Sequence, residues 1–319
     1  MSTNKENLCN LRLRPISNGV KKKKFLGQNF LSNKNILEVM ADAAELTKRD
    51  VVLEIGPGLG SLTEILAKRA KKVIAVEKDA DLIPLLQEKF RDKKNVEIIH
   101  GDILRITPSF PLILRGTKEE SAPLRVRGVM KYKIVANIPY YITSCFLRLF
   151  LSETKFRSKL MVLMVQKEVA KRICAQDGKE SLLSLSVKAY GKPKIIRIVP
   201  RGAFTPAPNV DSAIIKIVIA PSFPLISRGT KESAPLNVRG ARRVMKGNNP
   251  LGQSPHPPYF KGDNMEDILS LARLAFQKKR KMLRQSIGKK IFLPKNYETK
   301  RPEELSLKDW AKILRDPTS

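Results

Sequence analysis

The run Val51-Val52-Leu53-Glu54-Ile55 passes directly into Gly56-Pro57-Gly58-Leu59-Gly60 and then into Ser61 to Arg69, where Leu62, Ile65 and Leu66 share one helical face. A short apolar strand, a glycine-rich turn and an amphipathic helix, in that order, open a β-α unit, and the glycines mark a turn that other residues enter only at a cost. The pattern then recurs. Lys72 to Val76 is a second apolar run, ending at Glu77; Val96 to Ile99 is a third, ending at Gly101-Asp102; Lys133 to Ala136 is a fourth, ending at Asn137. Met161 to Gln166 is a fifth, followed by the helix-like Lys167 to Cys174. Strands alternating with helices predict an α/β fold, a parallel sheet covered on both faces, with ligands at the carboxyl ends of the strands. Glu77, Asp102 and Asn137 all stand at such ends.

An internal repeat interrupts the alternation. Ser109-Phe110-Pro111-Leu112-Ile113 through Arg127-Gly128 returns as Ser222-Phe223-Pro224-Leu225-Ile226 through Arg239-Gly240, and Val-Met-Lys closes both copies at Lys131 and Lys246. Two copies so far apart are no solenoid, which needs adjacent repeats to bury a core. They resemble the mobile palindromic elements that insert in frame into some bacterial genes, and they are expected in surface loops tolerant of length. Past the second copy, residues 247–262 are rich in Pro, Gly and Asn and read as a linker. Ile268, Leu271, Ala272, Ala275 and Phe276 then fall at i, i+3, i+4, i+7 and i+8, so the tail is expected to be a small all-helical C-terminal domain. The boundaries this predicts are 1–221 with an inserted repeat at 109–131, 222–262 for the second repeat and linker, and 263–319 for the helices.

Charge narrows the partner. Sixty-one Lys and Arg against thirty Asp and Glu give a net charge of +31 and a pI of about 10.2 across 319 residues, well beyond what solubility requires. A polyanion is implied, and nucleic acid is favoured over a membrane because the cations are spread over several segments, none a basic amphipathic helix with a broad Trp/Phe/Leu face. Lys21, Lys22, Lys23 and Lys24, together with Lys278, Lys279, Arg280 and Lys281, are candidate phosphate contacts. No run approaches the length of a membrane span, and the first twenty residues lack a signal-peptide core, so the expected location is the cytoplasm. Cys9, Cys145 and Cys174 read as reduced thiols, not as a metal site. His100 reads as structural and His256 falls in the linker, so no metal or histidine chemistry is expected.

Asn137-Ile138-Pro139-Tyr140 carries the chemistry. An amide oxygen and a backbone carbonyl on a proline-stiffened turn can hold the hydrogens of an exocyclic amine, and the tyrosine offers a flat face to the ring that bears it. Adenine N6 is a poor nucleophile because its lone pair is delocalised; two acceptors favour a more pyramidal nitrogen aimed at an electrophilic methyl. The glycines read G-x-G-x-G at Gly56, Gly58 and Gly60, unlike the spacing that packs a helix against a pyrophosphate, so a nucleoside without phosphates fits better. Glu77 can accept ribose hydroxyls and Asp102 an adenine amine.

These motifs, with Leu26-Gly27-Gln28-Asn29-Phe30-Leu31, Gln166-Lys167-Glu168-Val169, Ala203-Phe204-Thr205-Pro206, Val210-Asp211-Ser212-Ala213 and Ala275-Phe276-Gln277, make the chain similar to the small-subunit ribosomal RNA adenine N6,N6-dimethyltransferases. The resemblance runs from about Lys24 to Ile287 outside the two repeats. It implies a Rossmann-like class I sheet dependent on S-adenosylmethionine, with Asn29, Leu31, Gly56, Gly58, Glu77, Asp102 and Asn137 on the cofactor. It implies Asn137, Ile138, Pro139 and Tyr140 as the catalytic turn, with Phe204 on the other face of the target base. It also implies two adjacent adenosines in the 3′-terminal hairpin loop of small-subunit RNA as substrate, in an immature subunit, and a protein otherwise monomeric. Two alternatives stay open: a methyltransferase of large-subunit RNA, against which the segment Ala203 to Ala213 and the helical tail argue, and a non-catalytic RNA-binding assembly factor of the same fold.

Overall fold

The computed structural model describes residues 30–31, 33–106, 132–154, 158–176, 178–220 and 265–315. Both repeat copies, the linker, Asn29 and Lys21, Lys22, Lys23 and Lys24 lie outside the described residues. The strands are β1 Phe30–Leu31, β2 Val51–Ile55, β3 Lys72–Glu77, β4 Val96–His100, β5 Tyr132–Asn137, β6 Leu160–Gln166, β7 Gly191–Val199, β8 Phe204–Thr205 and β9 Ser212–Ile219. Seven of them form one sheet in the order β4-β3-β2-β5-β6-β9-β7. The five strands expected from the sequence are mutually parallel, with Ile55 in register with both Val76 and Ala136. Beyond β6 the sheet changes character, because β9 runs antiparallel to both β6 and β7.

The period of two along each strand sorts the core into two layers. Leu53, Ile55, Ile134, Ala136, Met161, Leu163 and Val165 face one layer, while Val52, Val135, Val162, Met164 and Ile214 face the other. The second layer is closed by the helices Lys34–Ala43 and Ser61–Arg69 through Leu37, Met40, Ile65 and Leu66. Burying each such aliphatic side chain stabilises the fold by roughly 1.5–3 kcal/mol, so strands buried on both faces read as unbroken apolar runs.

The tail forms the helices Met265–Phe276, Leu283–Ser286, Lys295–Glu298 and Leu307–Arg315. The expected helical face is inside, with Ile268, Leu271, Ala272 and Ala275 all buried. These helices share one continuous hydrophobic cluster with the first face of the sheet, Trp310 and Ile313 lying in the same cluster as Leu53 and Ile134.

The order of strands positions the site. Connections lead outward from β2 in one direction to β3 and β4, and in the other to β5 and β6, so a crevice opens at the carboxyl ends of β2 and β5. Across this end lies a separate two-stranded ribbon in which β1 pairs antiparallel with β8, Phe30 opposite Thr205 and Leu31 opposite Phe204.

Candidate active site

One cavity sits in that crevice, lined by Gly56, Pro57, Gly58 and Leu59 of the glycine turn, by Glu77 and Lys78 at the end of β3, by Gly101 and Asp102 after β4, and by the turn from Asn137 to Ile142 after β5. The structure thus brings together Leu31, Gly56, Gly58, Glu77, Asp102, Asn137, Ile138, Pro139 and Tyr140 from the sequence prediction.

The glycine turn is left-handed at three positions, with φ of 67° at Gly56, 57° at Gly58 and 74° at Gly60. It is held from below by Gly56 N–H donating to Val76 O at 2.9 Å and from within by Gly60 N–H donating to Pro57 O at 2.9 Å. A Cβ on Gly58 would meet the Phe30 ring at 3.1 Å, so the bare backbone there lets the β1 aromatic lie against the turn. Phe30 was not singled out from the sequence, and its role becomes visible only through the β1–β8 pairing.

Glu77 is buried at 6% exposure and anchors this side. Its Oε2 accepts the Gly58 N–H at 3.1 Å, and its Oε1 accepts the N–H groups of Lys78 and Asp79, both at 2.9 Å. A carboxylate offers about four acceptor sites; three are used, and the remaining one on Oε2 is available to a ligand hydroxyl. Burial holds the Glu77 carboxyl above the usual range, with those three N–H donors pulling the other way. Asp102 is set differently. Its Oδ1 accepts Leu104 N–H at 3.0 Å and its Oδ2 pairs with Lys78 Nζ at 2.9 Å, clipping the ends of β3 and β4 together. Burial alone would raise its pKa, but Lys78 and the Leu104 N–H outweigh it and keep the group ionised.

The turn after β5 begins where Ala136 is in register with Ile55, which places Asn137 beside Gly56; a Cβ on Gly56 would stand 4.0 Å from the Asn137 carbonyl oxygen. Pro139 holds φ at −54°, and Tyr140 starts a short 3-10 turn. The Tyr140 hydroxyl meets Ser212 Oγ, fully buried on β9, at 2.6 Å. Tyr141, 56% exposed, stands on the same rim.

Phe204 is placed elsewhere. Only 4% exposed, it packs with Leu31, Val135, Met164 and Ile214 in the second core layer and does not line the cavity. The cause is the alternation of β8: with Leu31 as its cross-strand partner, Phe204 points inward and Thr205 outward. Lys278, Lys279, Arg280 and Lys281 form an exposed turn after the helix Met265–Phe276, away from the cavity lining.

Glu54 also lines the cavity and was passed over as part of an apolar strand. It is 1% exposed, and its Oε2 has no hydrogen-bond partner. Burial pushes its pKa up to about 8. The Thr63 hydroxyl lies near enough to oppose that rise a little, although it too has no partner in hydrogen-bonding geometry. A charge in the middle of a strand buried on both faces is the signal that could have found it.

The residues fit a nucleoside-bearing methyl donor: a glycine cradle that side chains would fill, an acceptor left on Glu77, and a buried carboxyl without a partner. Among the described residues no group of three or more His, Cys, Asp or Glu could hold a metal ion, and no helix is long and apolar enough to cross a membrane.

The chain is similar to known proteins. The chain is 39% identical over 305 residues to the ribosomal RNA small subunit methyltransferase A of Dehalococcoides mccartyi strain CBDB1, covering 92% of this chain and 88% of that one. To the protein of the same name from Streptococcus pneumoniae R6 it is 44% identical over 201 residues, covering 62% and 66%. Among solved structures, a dimethyladenosine transferase from Plasmodium falciparum superposes with a TM-score of 0.60 at 25% identity, over 89% of this chain and 95% of that one. The 23S rRNA methyltransferase ErmE shares the fold, with a TM-score of 0.61 at 22% identity over 90% and 98%. Residues 19–224 match the family described as ribosomal RNA adenine dimethylase, and with the fold, the glycine cradle and the Asn137–Tyr140 turn in one cavity, the chain belongs to that family.

Proposed function

We propose that this protein is an S-adenosylmethionine-dependent dimethyltransferase that places two methyl groups on N6 of each of two adjacent adenosines in the 3′-terminal hairpin loop of small-subunit ribosomal RNA. Its substrate is the immature subunit, and the protein acts as a cytoplasmic monomer outside it. The observation that carries this is the meeting of the Asn137–Tyr140 turn and the Gly56–Gly60 turn in a single cavity. The small-subunit specificity rests on the Dehalococcoides mccartyi relative, whose match covers 92% of this chain.

When bound, S-adenosylmethionine would supply a methyl group on a sulfonium, whose sulfur would leave as a neutral thioether. The protein's task is to aim the amine. The Asn137 side-chain oxygen and the Ile138 carbonyl accept the two N6 hydrogens, holding the lone pair toward the donor side of the cavity. Pro139 stiffens that pair of acceptors. Tyr140 stacks on the base, its ring fixed by the bond to Ser212; such stacking is worth roughly 1–3 kcal/mol. Phe204 reaches the opposite face only if β8 turns its buried ring outward. The methylated nitrogen loses its proton to solvent without a dedicated base. Leu31 lines the donor side; Asn29 as a donor contact and the Lys21 to Lys24 and Lys278 to Lys281 segments as phosphate contacts are carried from the sequence, with RNA shape and the subunit setting the target.

Primer extension across the two adenosines tests the proposal, in RNA from cells with and without the protein. Stops at both positions that vanish with the gene and return with the wild-type chain are expected. Stops unchanged by its loss, or stops in large-subunit RNA instead, would overturn the assignment.

A further inference from the structure

We propose that Tyr141, with Lys78 and Arg105 beside it, is a second base-binding subsite at the mouth of the cavity, which stacks the nucleotide next to the target adenosine and holds its phosphate. The inference rests on the RNA methylation reading above and adds to it a place for the neighbouring base.

The two tyrosines of the turn are placed for different tasks. Both belong to the 3-10 turn Tyr140–Ile142, in which successive side chains are rotated by about 120°. Tyr140 is directed toward β9, its hydroxyl meeting Ser212 Oγ at 2.6 Å. Ile142 packs against the first core layer. Tyr141 takes the remaining direction: it lines the cavity and, at 56%, is the most exposed large apolar or aromatic side chain among the described residues. Packing accounts for Tyr140 and Ile142 but not for a ring turned to solvent at the entrance of a site.

Positive charge stands beside the ring. Lys78 lines the same cavity and is half exposed; its Nζ donates to Asp102 Oδ2 at 2.9 Å and has further N–H donors to give. The bond to Asp102 is the main influence holding the Lys78 ammonium above its ordinary pKa; the Tyr141 hydroxyl adds to it, while burial and Arg105 oppose it, so ring and guanidinium are both within electrostatic reach of Lys78. Arg105 is exposed on the helix Ile103–Ile106. A flat exposed ring with cations beside it is the combination that holds single-stranded RNA, the ring taking a base face and the cations the backbone.

The occupant follows from what extrusion does to the RNA. A base drawn out of its stack into a pocket leaves the base beside it with a bare face. One phosphodiester ties that neighbour to the target, so it lies at the cavity mouth, where Tyr141 is. Stacking reads the face of a base and not its amine. The subsite therefore accepts a neighbouring adenosine with or without methyl groups, and one adenosine can be held while the other is modified.

The test uses the full-length protein and small subunits reconstituted with RNA that carries either adenosine or an abasic residue beside the target adenosine. Methyl transfer to the target, S-adenosylhomocysteine affinity and melting temperature are measured for wild type, Tyr141→Ala and Tyr141→Phe. Tyr141→Ala should raise KM for the adenosine-bearing subunit by about 5-fold to 100-fold, the range for one stacked base, and the loss should not extend to donor affinity or melting. Tyr141→Phe, which keeps the flat face, should recover most of it. The abasic residue should cost the wild type a comparable factor and cost Tyr141→Ala almost nothing more, because the same contact is already gone. Arg105→Gln should raise KM by less, and by less again as salt is raised; no loss at low salt would overturn the phosphate contact. An unchanged KM in Tyr141→Ala, losses that add in full with the abasic residue, or an equal loss of S-adenosylhomocysteine affinity overturns the inference while leaving methylation standing. Failure of the wild type to methylate the adenosine-bearing subunit overturns the methylation reading itself, and this inference with it.

Discussion

Substituting alanine at Gly56 and at Gly60 should produce opposite defects, although both glycines belong to the same turn and both have positive φ. Each replacement pays the left-handed penalty of about 1–2 kcal/mol for a residue with a Cβ. At Gly60 the new carbon would also lie 2.6 Å from Phe90 Cε2, 3.0 Å from Cζ and 3.1 Å from Leu86 Cδ2, in the small cluster where Leu82, Leu86 and Phe90 pack. Overpacking there adds roughly 1–3 kcal/mol, for a total of about 2–5 kcal/mol. In a fold of this size about 1 kcal/mol shifts the melting temperature by roughly 2–4 °C, so Gly60→Ala should melt roughly 4–20 °C below wild type. At Gly56 the nearest atom is the Asn137 carbonyl oxygen at 4.0 Å, so the added carbon meets nothing and projects into ligand space. Gly56→Ala should therefore keep most of its stability and lose S-adenosylhomocysteine affinity by at least about tenfold, the scale of a single displaced contact. Differential scanning calorimetry without ligand and titration calorimetry with it decide the matter. A Gly60→Ala protein that melts with wild type, or a Gly56→Ala protein that binds with wild-type affinity, refutes the assignment of one glycine to packing and the other to the ligand.

Other outcomes follow from the same geometry. Asn137→Ala should lower single-turnover methyl transfer far more than it weakens binding of either substrate, because the amide orients an amine that is fully engaged only in the transition state; equal losses in both would reject the role. Glu77→Ala should weaken donor binding by about 1–3 kcal/mol and leave RNA binding unchanged, as read by calorimetry and filter binding. In the unfolded chain Glu54 ionises near 4.5 and in the folded chain at about 8, so the native protein holds a proton the unfolded one has lost, and stability falls as pH rises across that interval. Glu54→Gln should remove up to about 5 kcal/mol of that loss, its gain in melting temperature over wild type widening from pH 5 to pH 8; a constant gain would show that the carboxyl does not titrate there. Deleting 109–131 or 222–246 should leave a cooperative melt, since β5, β9 and the helix Met265–Phe276 are complete without them.

The parallel half of the sheet was legible because β2 to β6 are short, mostly apolar runs, of which β3, β4, β5 and β6 end at Glu77, His100, Asn137 and Gln166 while β2 runs into the glycine turn. The antiparallel half was not. β7 carries Lys192, Pro193, Lys194 and Arg197 as an edge strand whose outer side is exposed, so its composition resembles a loop. The position of β9 between β6 and β7 depends on pairing across the chain, which periodicity does not encode. For the site, Glu77, Asp102 and Asn137 were readable as strand-end residues. Phe204 was not, since a two-residue strand is too short to show which way it alternates. Glu54 was hidden for the opposite reason, being absorbed into an apolar run that it interrupts.

The position of β9 also sets when this protein becomes competent during its own synthesis. Chains emerge amino end first, and the five parallel strands can associate as they appear. β7 has no neighbour in the sheet until β9 exists, and β1 has none until β8 arrives. Tyr140 waits on the same event, because its hydroxyl is held by Ser212 at the start of β9. A nascent chain that has passed Gln166 thus carries a glycine turn already held by Val76 and Glu77, but a catalytic turn whose Tyr140 lacks its partner until β9 is made.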